Sequence, residues 1–303
     1  MRSEFEFLKQ IQQKFSLDKI GDDCAVLPQN KTHDLLITSD LIVEDIDFRR
    51  SWMIPEFLGH KSLAVSLSDI AAMGGKPIYS MLSIGIPEDV WKMDFVDEFY
   101  AGYFKLAKIF AVELIGGDVS KTPDKIVIDS TVIGEVEKDQ AVFRSGAKVG
   151  DLIFVTGELG GASVGLKLLE EKINGFEELK MRQLKPNPRI KEGQFLSKFA
   201  TSMIDISDGL SSDLRHICQS SQVGAKIFAD KIPNLEAGIW NLGFALNGGE
   251  DFELLFTANP KKNFQKNFDQ FFCLGEVTAN VGIIELIDRE KSAILEPKGH
   301  QHF

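Results

Sequence analysis

Two hydrophobic periods alternate along this chain. Residues 78–86 alternate apolar with polar and stop at Pro87, the pattern of a half-buried strand, and residues 125–136 (KIVIDSTVIGEV) are dense in β-branched side chains and predict a long strand. Residues 35–38 form a shorter apolar run that stops at Ser39-Asp40. Between these, residues 56–73 carry apolar side chains at helical spacing and close on Gly74-Gly75, and residues 90–110 predict a second long helix. The pattern breaks at residues 144–151 (RSGAKVGD), a polar, glycine-bearing joint. A strand at 152–157 then opens a new unit, with helices near 162–171, 189–198 and 210–221. Strands interleaved with helices in this way predict an α+β class of mixed α/β layers. The joint divides the chain into residues 1–145 and 146–303.

Length and charge narrow the picture. At 303 residues the chain is long enough for two domains of about 150 residues. Its net charge of -11 argues against nucleic acid or an anionic membrane surface as partner, since both need clustered Lys and Arg. Cys24, Cys218 and Cys273 are far apart, and no CxxC pair exists, which argues against a structural zinc site or a disulfide framework. The opening residues Met1-Arg2-Ser3-Glu4-Phe5-Glu6 are acidic and amphipathic, unlike a signal peptide. No segment approaches the ~18 uninterrupted apolar residues of a membrane span. The expectation is a cytoplasmic protein.

The unusual feature is where the aspartates sit. They follow glycines or hydroxyl residues at the ends of apolar runs: Gly21-Asp22-Asp23, Thr38-Ser39-Asp40, Ser68-Asp69, Gly116-Gly117-Asp118, Asp205-Ile206-Ser207-Asp208-Gly209 and Gly248-Gly249-Glu250-Asp251. A single Asp in such a place is more often a turn former or a helix N-cap. Repeated carboxylates beside hydroxyls are also the oxygen ligands that hard cations prefer. A chain with excess negative charge would need divalent cations between its carboxylates and a bound polyphosphate.

Familiar kinase motifs are missing. The stretch nearest to a phosphate-binding GxxxxGK[ST] loop runs from Gly160 to Lys167 with Leu166 where the lysine should be, and reads better as a strand-to-helix turn. Asp251-Phe252-Glu253 is not DFG, and there is no HRD loop.

As an ordered set, GDDCAVL (21–27), TSDLIVEDIDF (38–48), KSLAVSLSDIAAMGGKP (61–77), LIGGD (114–118), RSGAKVGD (144–151), MIDISDGLSSDLRHI (203–217), GGEDFELLF (248–256) and KGHQHF (298–303) resemble the thiamine-monophosphate kinase family over nearly the whole chain. The resemblance implies a two-domain fold similar to aminoimidazole-ribotide synthetase, with N-terminal sheets pairing in a homodimer. It implies transfer of the γ-phosphoryl group of ATP to thiamine monophosphate, with several Mg²⁺ ions. It places Asp23, Thr38, Ser39, Asp40, Asp69, Asp118, Asp205 and Asp208 on metal positions, and Gly117, Asp118, Arg144 and Ser207 on nucleotide positions. Asp47, Glu250 and His300 fall on positions that touch thiamine phosphate. Two of them depart from the pattern: the family commonly has His where this chain has Asp47, and an aromatic ring where it has His300. Asp47 is open to three roles, as a metal ligand, a partner for the aminopyrimidine, or none.

The acceptor phosphate is already ionised near neutral pH, so no residue is assigned as a catalytic acid or base. Arg144 is read either as a contact to nucleotide phosphate or as a surface ion pair. Ser207 is read as a phosphate contact, an N-cap, or both. His33, His60 and His216 have no metal-like spacing, with His216 read as packing or surface. The phenylalanines at 264, 268, 271 and 272 are read as core, and Tyr100 and Tyr103 as weak candidates for adenine stacking. The alternatives are a related ATP-dependent enzyme with another acceptor, or a nucleotide-binding regulatory protein without turnover. Selenophosphate synthetase would need a reactive Cys or selenocysteine in a glycine-rich N-terminal segment, which is missing, and the hydrogenase-maturation relative a C-terminal Cys; this chain ends His302-Phe303.

Overall fold

The computed structural model describes residues 4–92, 94–233, 241–261 and 271–299. After helix α1 (Glu4–Phe15), the first half builds one sheet from β1 (Ala25–Pro28), β2 (His33–Val43), β3 (Lys76–Pro87), β4 (Glu113–Thr122) and β5 (Val127–Glu137). Their order is β1-β2-β5-β3-β4, antiparallel except for the parallel β3–β4 edge. Helices α2 (Pro55–Ala72), α3 (Glu88–Trp91) and α4 (Phe95–Phe110) join these strands.

The second half builds a seven-stranded sheet, β12-β11-β8-β10-β6-β9-β7. Its strands are β6 (Leu152–Val155), β7 (Ala200–Asp205), β8 (Gly224–Phe228), β9 (Leu254–Ala258), β10 (Phe272–Thr278), β11 (Ile284–Asp288) and β12 (Lys291–Ile294). Helices α5 (Gly161–Glu170), α6 (Glu177–Leu184), α7 (Ile190–Leu196), α8 (Leu210–Ser221) and α9 (Leu242–Asn247) complete it.

Helix α2 is the hinge of the architecture. It is buried nearly all round, because its run of Leu, Ala, Val and Ser leaves no polar face. It packs on β2, β5 and α4 of the first half and on α7 and β7 of the second. One continuous core therefore includes Leu63, Leu67 and Ile70 of α2 with Ile128, Val132, Phe154 and Phe256. Gly59 and Gly102 allow the close approach of α2 and α4: a Cβ at Gly59 would strike the Phe99 carbonyl, and one at Gly102 that of Glu56. A second core, with Ile204, Leu214, Ile217 and Leu274, lies under α8.

Several sequence expectations need correction. The run at 35–38 does not end at Ser39-Asp40; β2 continues to Val43 because it pairs with β5 along its whole length. Gly116-Gly117-Asp118 is not a turn but the middle of edge strand β4, paired to β3 through a register shift at Ser80/Met81. The helix expected at 90–110 is two, α3 and α4, as suits Asp94, Asp97 and Glu98 at a helix N-terminus rather than in an interior. Helix α6 was not anticipated. Phe271 is core but Phe272 is 37% exposed, and Phe264 and Phe268 lie outside the described residues. Tyr103 is fully buried in an aromatic cluster on α4 with Tyr100 and Phe104.

Candidate active site

Strand alternation decides which of the candidate residues meet. Successive residues of β2 face opposite sides of the sheet. Thr38 and Asp40 point toward α2, and the Thr38 hydroxyl donates to Asp69 Oδ2 near the end of that helix. Asp23 reaches the same place from the loop before β1, and Asp205 from the last residue of β7. Oxygens of Asp23, Asp69 and Asp205 lie within 4.8 Å of one another. Small hydroxyls spaced along α2 serve this cluster: Ser68 donates to Asp205 Oδ2 at 2.6 Å.

Four carboxylates in one buried place repel each other and are poorly solvated. Burial, with Asp129 and Asp23 adding to it, pushes Asp40 up to about 6. Burial and the charge of Asp23 push Asp205 up to about 7. Burial, then the charges of Asp40, Asp205 and Asp23, hold Asp69 well above the carboxylate range. Asp23 is also raised by burial, against the pull of Arg144. Arg144 is the local cation: its Nε and Nη2 donate to Asp23 Oδ1 at 3.1 and 2.5 Å, and its backbone N–H donates to Asp22 Oδ1 at 2.7 Å. It thus forms a partly buried ion pair rather than a surface one.

The donor set fits a hard cation. Asp23 Oδ2 and Asp40 Oδ2 are buried and find no hydrogen-bond partner among the described residues. A buried charged oxygen without a partner is costly, and oxygen-only ligands suit Mg²⁺ rather than a softer metal.

Other candidate residues are placed elsewhere. Ser39 projects from the opposite, open face of the sheet, where its hydroxyl is 3.2 Å from Asp129 and 3.0 Å from Thr131. Asp118 lies on that open face too, in the row Asp118–Ser83–Asp129–Leu41, and is exposed. Three strand spacings put its backbone about 14 Å from that of Leu41. Gly117, at φ +145°, lets β4 sit against the Leu82 carbonyl, where a Cβ would clash. The monomer therefore does not bring Ser39, Gly117 and Asp118 to the carboxylate cluster.

A cavity of about 310 Å³ opens beside the cluster, lined by Asp40, Ser207 and Asp208 together with Asp47, Lys61, Gln183 and Glu250. Leu41, Ile46, Trp52 and Phe252 supply apolar wall. Asp47 is half-buried and turned partly inward to its own loop, its Oδ2 accepting the Val43 N–H at 2.8 Å. Glu250 stands in a left-handed backbone conformation, φ +66°, its N–H bonded to the Ser207 carbonyl at 2.8 Å. Gln183 Nε2 donates to Glu250 Oε2, and Lys61 Nζ lies 2.7 Å from Glu250 Oε1.

Ser207 is not an N-cap. That position of α8 belongs to Gly209, and Asp213 Oδ2 accepts the Gly209 N–H at 3.0 Å and that of Asp208 at 3.3 Å. His216, expected as packing or surface, comes together with Asp208 and Asp213, and burial lowers it to about 4. His300 lies outside the described residues. Lys61, Gln183 and Trp52 were missed by sequence reasoning. The one signal for Lys61 was a lysine in the middle of a helix rich in Leu, Ala and Val.

Two sheets joined through a shared buried helix, with carboxylates gathered at the junction, define an AIR-synthase-type protein. The family model for the AIR synthase related protein N-terminal domain matches residues 21–136, and that for the C-terminal domain matches residues 148–281. Within that class the chain belongs to the thiamine-monophosphate kinase family. It is 40% identical to the thiamine-monophosphate kinase of Buchnera aphidicola, over 94% of this chain and 92% of that protein. It is 36% identical to that of Bacillus subtilis, over 94% and 93%. A solved structure of AaThiL complexed with AMPPCP and TMP superposes with a TM-score of 0.90 at 34% identity, covering 99% of this chain and 97% of that one. The hydrogenase maturation protein HypE shares the fold, with a TM-score of 0.73 at 19% identity, covering 91% of each chain.

Proposed function

We propose that this protein is an ATP-dependent kinase that transfers the γ-phosphoryl group to thiamine monophosphate, giving thiamine diphosphate and ADP. The observation that carries this reading is the buried cluster of Asp23, Asp40, Asp69 and Asp205, which reaches through Asp40 a cavity also lined by Lys61, Gln183, Ser207, Asp208 and Glu250. The similar protein solved with AMPPCP and TMP supports the same pair of substrates.

In this reading Asp23, Thr38, Asp40, Asp69 and Asp205 hold Mg²⁺, and Asp208 holds it on the opposite wall. Bound there, the metal would neutralise and align the phosphates of two polyanionic reactants. Arg144 exchanges part of its contact with Asp23 for nucleotide phosphate, and Ser207 offers its hydroxyl to the same group. Glu250 and Gln183 orient the acceptor in the cavity, and the apolar wall excludes water that would otherwise compete for the phosphoryl group. No protein base is required, because the attacking phosphate oxygen carries its charge already.

The reading includes a homodimer formed on the open face of the first sheet, where Leu41, Tyr79 and Met81 are exposed. A second copy on that face would bring Ser39, Gly117 and Asp118 next to bound nucleotide. It also includes a functional division at residue 145, the N-terminal part holding nucleotide and metal and the C-terminal part closing the acceptor cavity. A cytoplasmic location is in keeping with the described helices, none of which is long and apolar enough to cross a membrane.

The test is chromatographic. Purified protein with ATP, Mg²⁺ and thiamine monophosphate is expected to form thiamine diphosphate and ADP in equal amounts. ATP binding with no product would instead support a regulatory role, and turnover only with another phosphate ester would move the enzyme to a different acceptor.

A further inference from the structure

We propose that Lys61 is a catalytic residue of this kinase, contacting the transferring phosphoryl group from the acceptor end of the cavity; the inference rests on the kinase reading above. Lys61 is fully buried, and among the described residues it is the only lysine or arginine that is. An ammonium carries three N–H donors, and removing it from water is costly unless they are used. Here its Nζ meets a single oxygen, Oε1 of Glu250, and makes no further polar contact among the described residues. The donors left over face a cavity that also contains Asp40, Ser207 and Asp208.

Glu250 is itself held from several sides. Gln183 Nε2 takes its other oxygen, and its backbone is fixed in the left-handed region by a bond to Ser207. The carboxylate thus serves as a fixed anchor that aims the lysine, rather than as a mobile partner that follows it. Helix α2 sets the spacing. Lys61 and Asp69 lie eight residues apart, so their backbones are separated by about 12 Å along one rigid element. A single helix therefore presents a cation at the acceptor end and a carboxylate ligand at the nucleotide end.

This arrangement matches the demand of the reaction. An acceptor phosphate oxygen forms a bond to the γ-phosphorus, the bond from that phosphorus to the β–γ bridging oxygen breaks, and the electron pair leaves on ADP. Charge in the transition state is spread over the equatorial oxygens of the transferring group. Lys61 donates hydrogen bonds to those oxygens and gives up no proton. A positioned, buried cation acts more strongly there than it would in solvent.

Steady-state kinetics with ATP, Mg²⁺ and thiamine monophosphate, alongside calorimetric binding of AMPPCP, test the proposal. Lys61→Met is expected to lower kcat by about 10²–10³-fold, the usual effect of losing one preorganised donor. Binding of AMPPCP should stay within about threefold, since the interaction forms mainly in the transition state. Lys61→Arg should recover part of kcat. The decisive variant is Lys61→Met combined with Glu250→Gln. If the lysine only neutralises Glu250, the double variant regains the kcat of Glu250→Gln alone, and the proposal fails. If it contacts phosphate, the double variant stays as slow as Lys61→Met. A Lys61→Met enzyme with unchanged kcat would equally overturn it. Should Lys61→Met not fold, Lys61→Gln carries the same comparison. An active wild type beside an unaffected lysine variant rejects this inference alone, whereas a wild type that makes no thiamine diphosphate rejects the kinase reading as well.

Discussion

The carboxylate cluster and the Lys61–Glu250 pair handle buried charge in opposite ways. At the carboxylate end, Asp23, Asp40, Asp69 and Asp205 share one arginine, and two of their oxygens lack any partner among the described residues. At the acceptor end, Lys61 Nζ meets one oxygen of Glu250 and Gln183 donates to the other, and elsewhere in the second half Arg189 donates through both Nε and Nη2 to Glu253. The first end is incomplete as a piece of protein, and in the proposed reading cations from outside complete it. The second holds a lysine paired to one fixed carboxylate, so in the same reading it orients and contacts substrate rather than binding metal. Function is therefore carried by imbalance at one end and by fixed geometry at the other.

The sharpest way to break this contrast is Asp69→Asn. The change keeps the shape and the bond from Thr38 but removes an ionisable group that burial and the charges of Asp40, Asp205 and Asp23 disfavour. Loss of one metal carboxylate is expected to lower kcat by about 10³-fold, several kcal/mol of transition-state stabilisation. The same variant should melt at or above the wild-type temperature when no divalent ion is added, because a buried repulsion has been removed. Full activity, or a marked fall in metal-free melting temperature, would show that the cluster is structural.

A smaller and graded effect is expected from pH. Asp40 at about 6 and Asp205 at about 7 both titrate above the ordinary carboxylate value of 3.8. A group whose pKa is raised on folding adds stability that is fully present below its unfolded value and lost as pH rises through its folded one. Metal-free protein should thus lose stability from about pH 4 upward, the loss being largely complete above pH 7. Magnesium should restore the melting temperature most at the upper end of that window, where it binds the ionised cluster. A metal-free melting temperature that climbs steadily from pH 5 to 7.5 would contradict the assignment.

The same contrast explains what could be read in advance. Helices α2 and α8 were legible because their apolar residues recur at the helical period, and strands β3 and β5 because they alternate or are rich in β-branched residues. Asp23, Asp40, Asp69 and Asp205 were legible as motif carboxylates, although their meeting depends on four separate elements. Ser39 shows the limit: it adjoins Asp40 in sequence, yet strand pleating sends it to the other face of the sheet. Gly117-Asp118 looked like a turn because glycine pairs usually are, whereas parallel pairing to β3 draws them into an edge strand. The acceptor end was nearly silent. Lys61, Gln183 and Trp52 come from α2, α6 and the loop before α2, and no local pattern announces that three such segments will meet.

The smallest expected effect concerns Asp47, which belongs to the acceptor end by position but is already engaged locally. Its Oδ2 accepts the Val43 N–H at 2.8 Å, and its own N–H bonds the Val43 carbonyl at 2.9 Å, so the side chain closes the turn that follows β2. Asp47→Ala removes one of those bonds and is expected to cost about 1 kcal/mol of stability, the usual value for a part-buried hydrogen bond. Because that carboxylate is occupied by its own backbone, KM for thiamine monophosphate should change by no more than about threefold, or roughly 0.7 kcal/mol. Asp47→Asn, whose side-chain oxygen can still accept from Val43, should recover most of the stability. A rise in KM of tenfold or more in both variants, with melting temperature unchanged, would move Asp47 from turn closure to substrate contact. It would also show that the acceptor end holds a carboxylate in reserve for the ligand beyond the one that Lys61 pairs with.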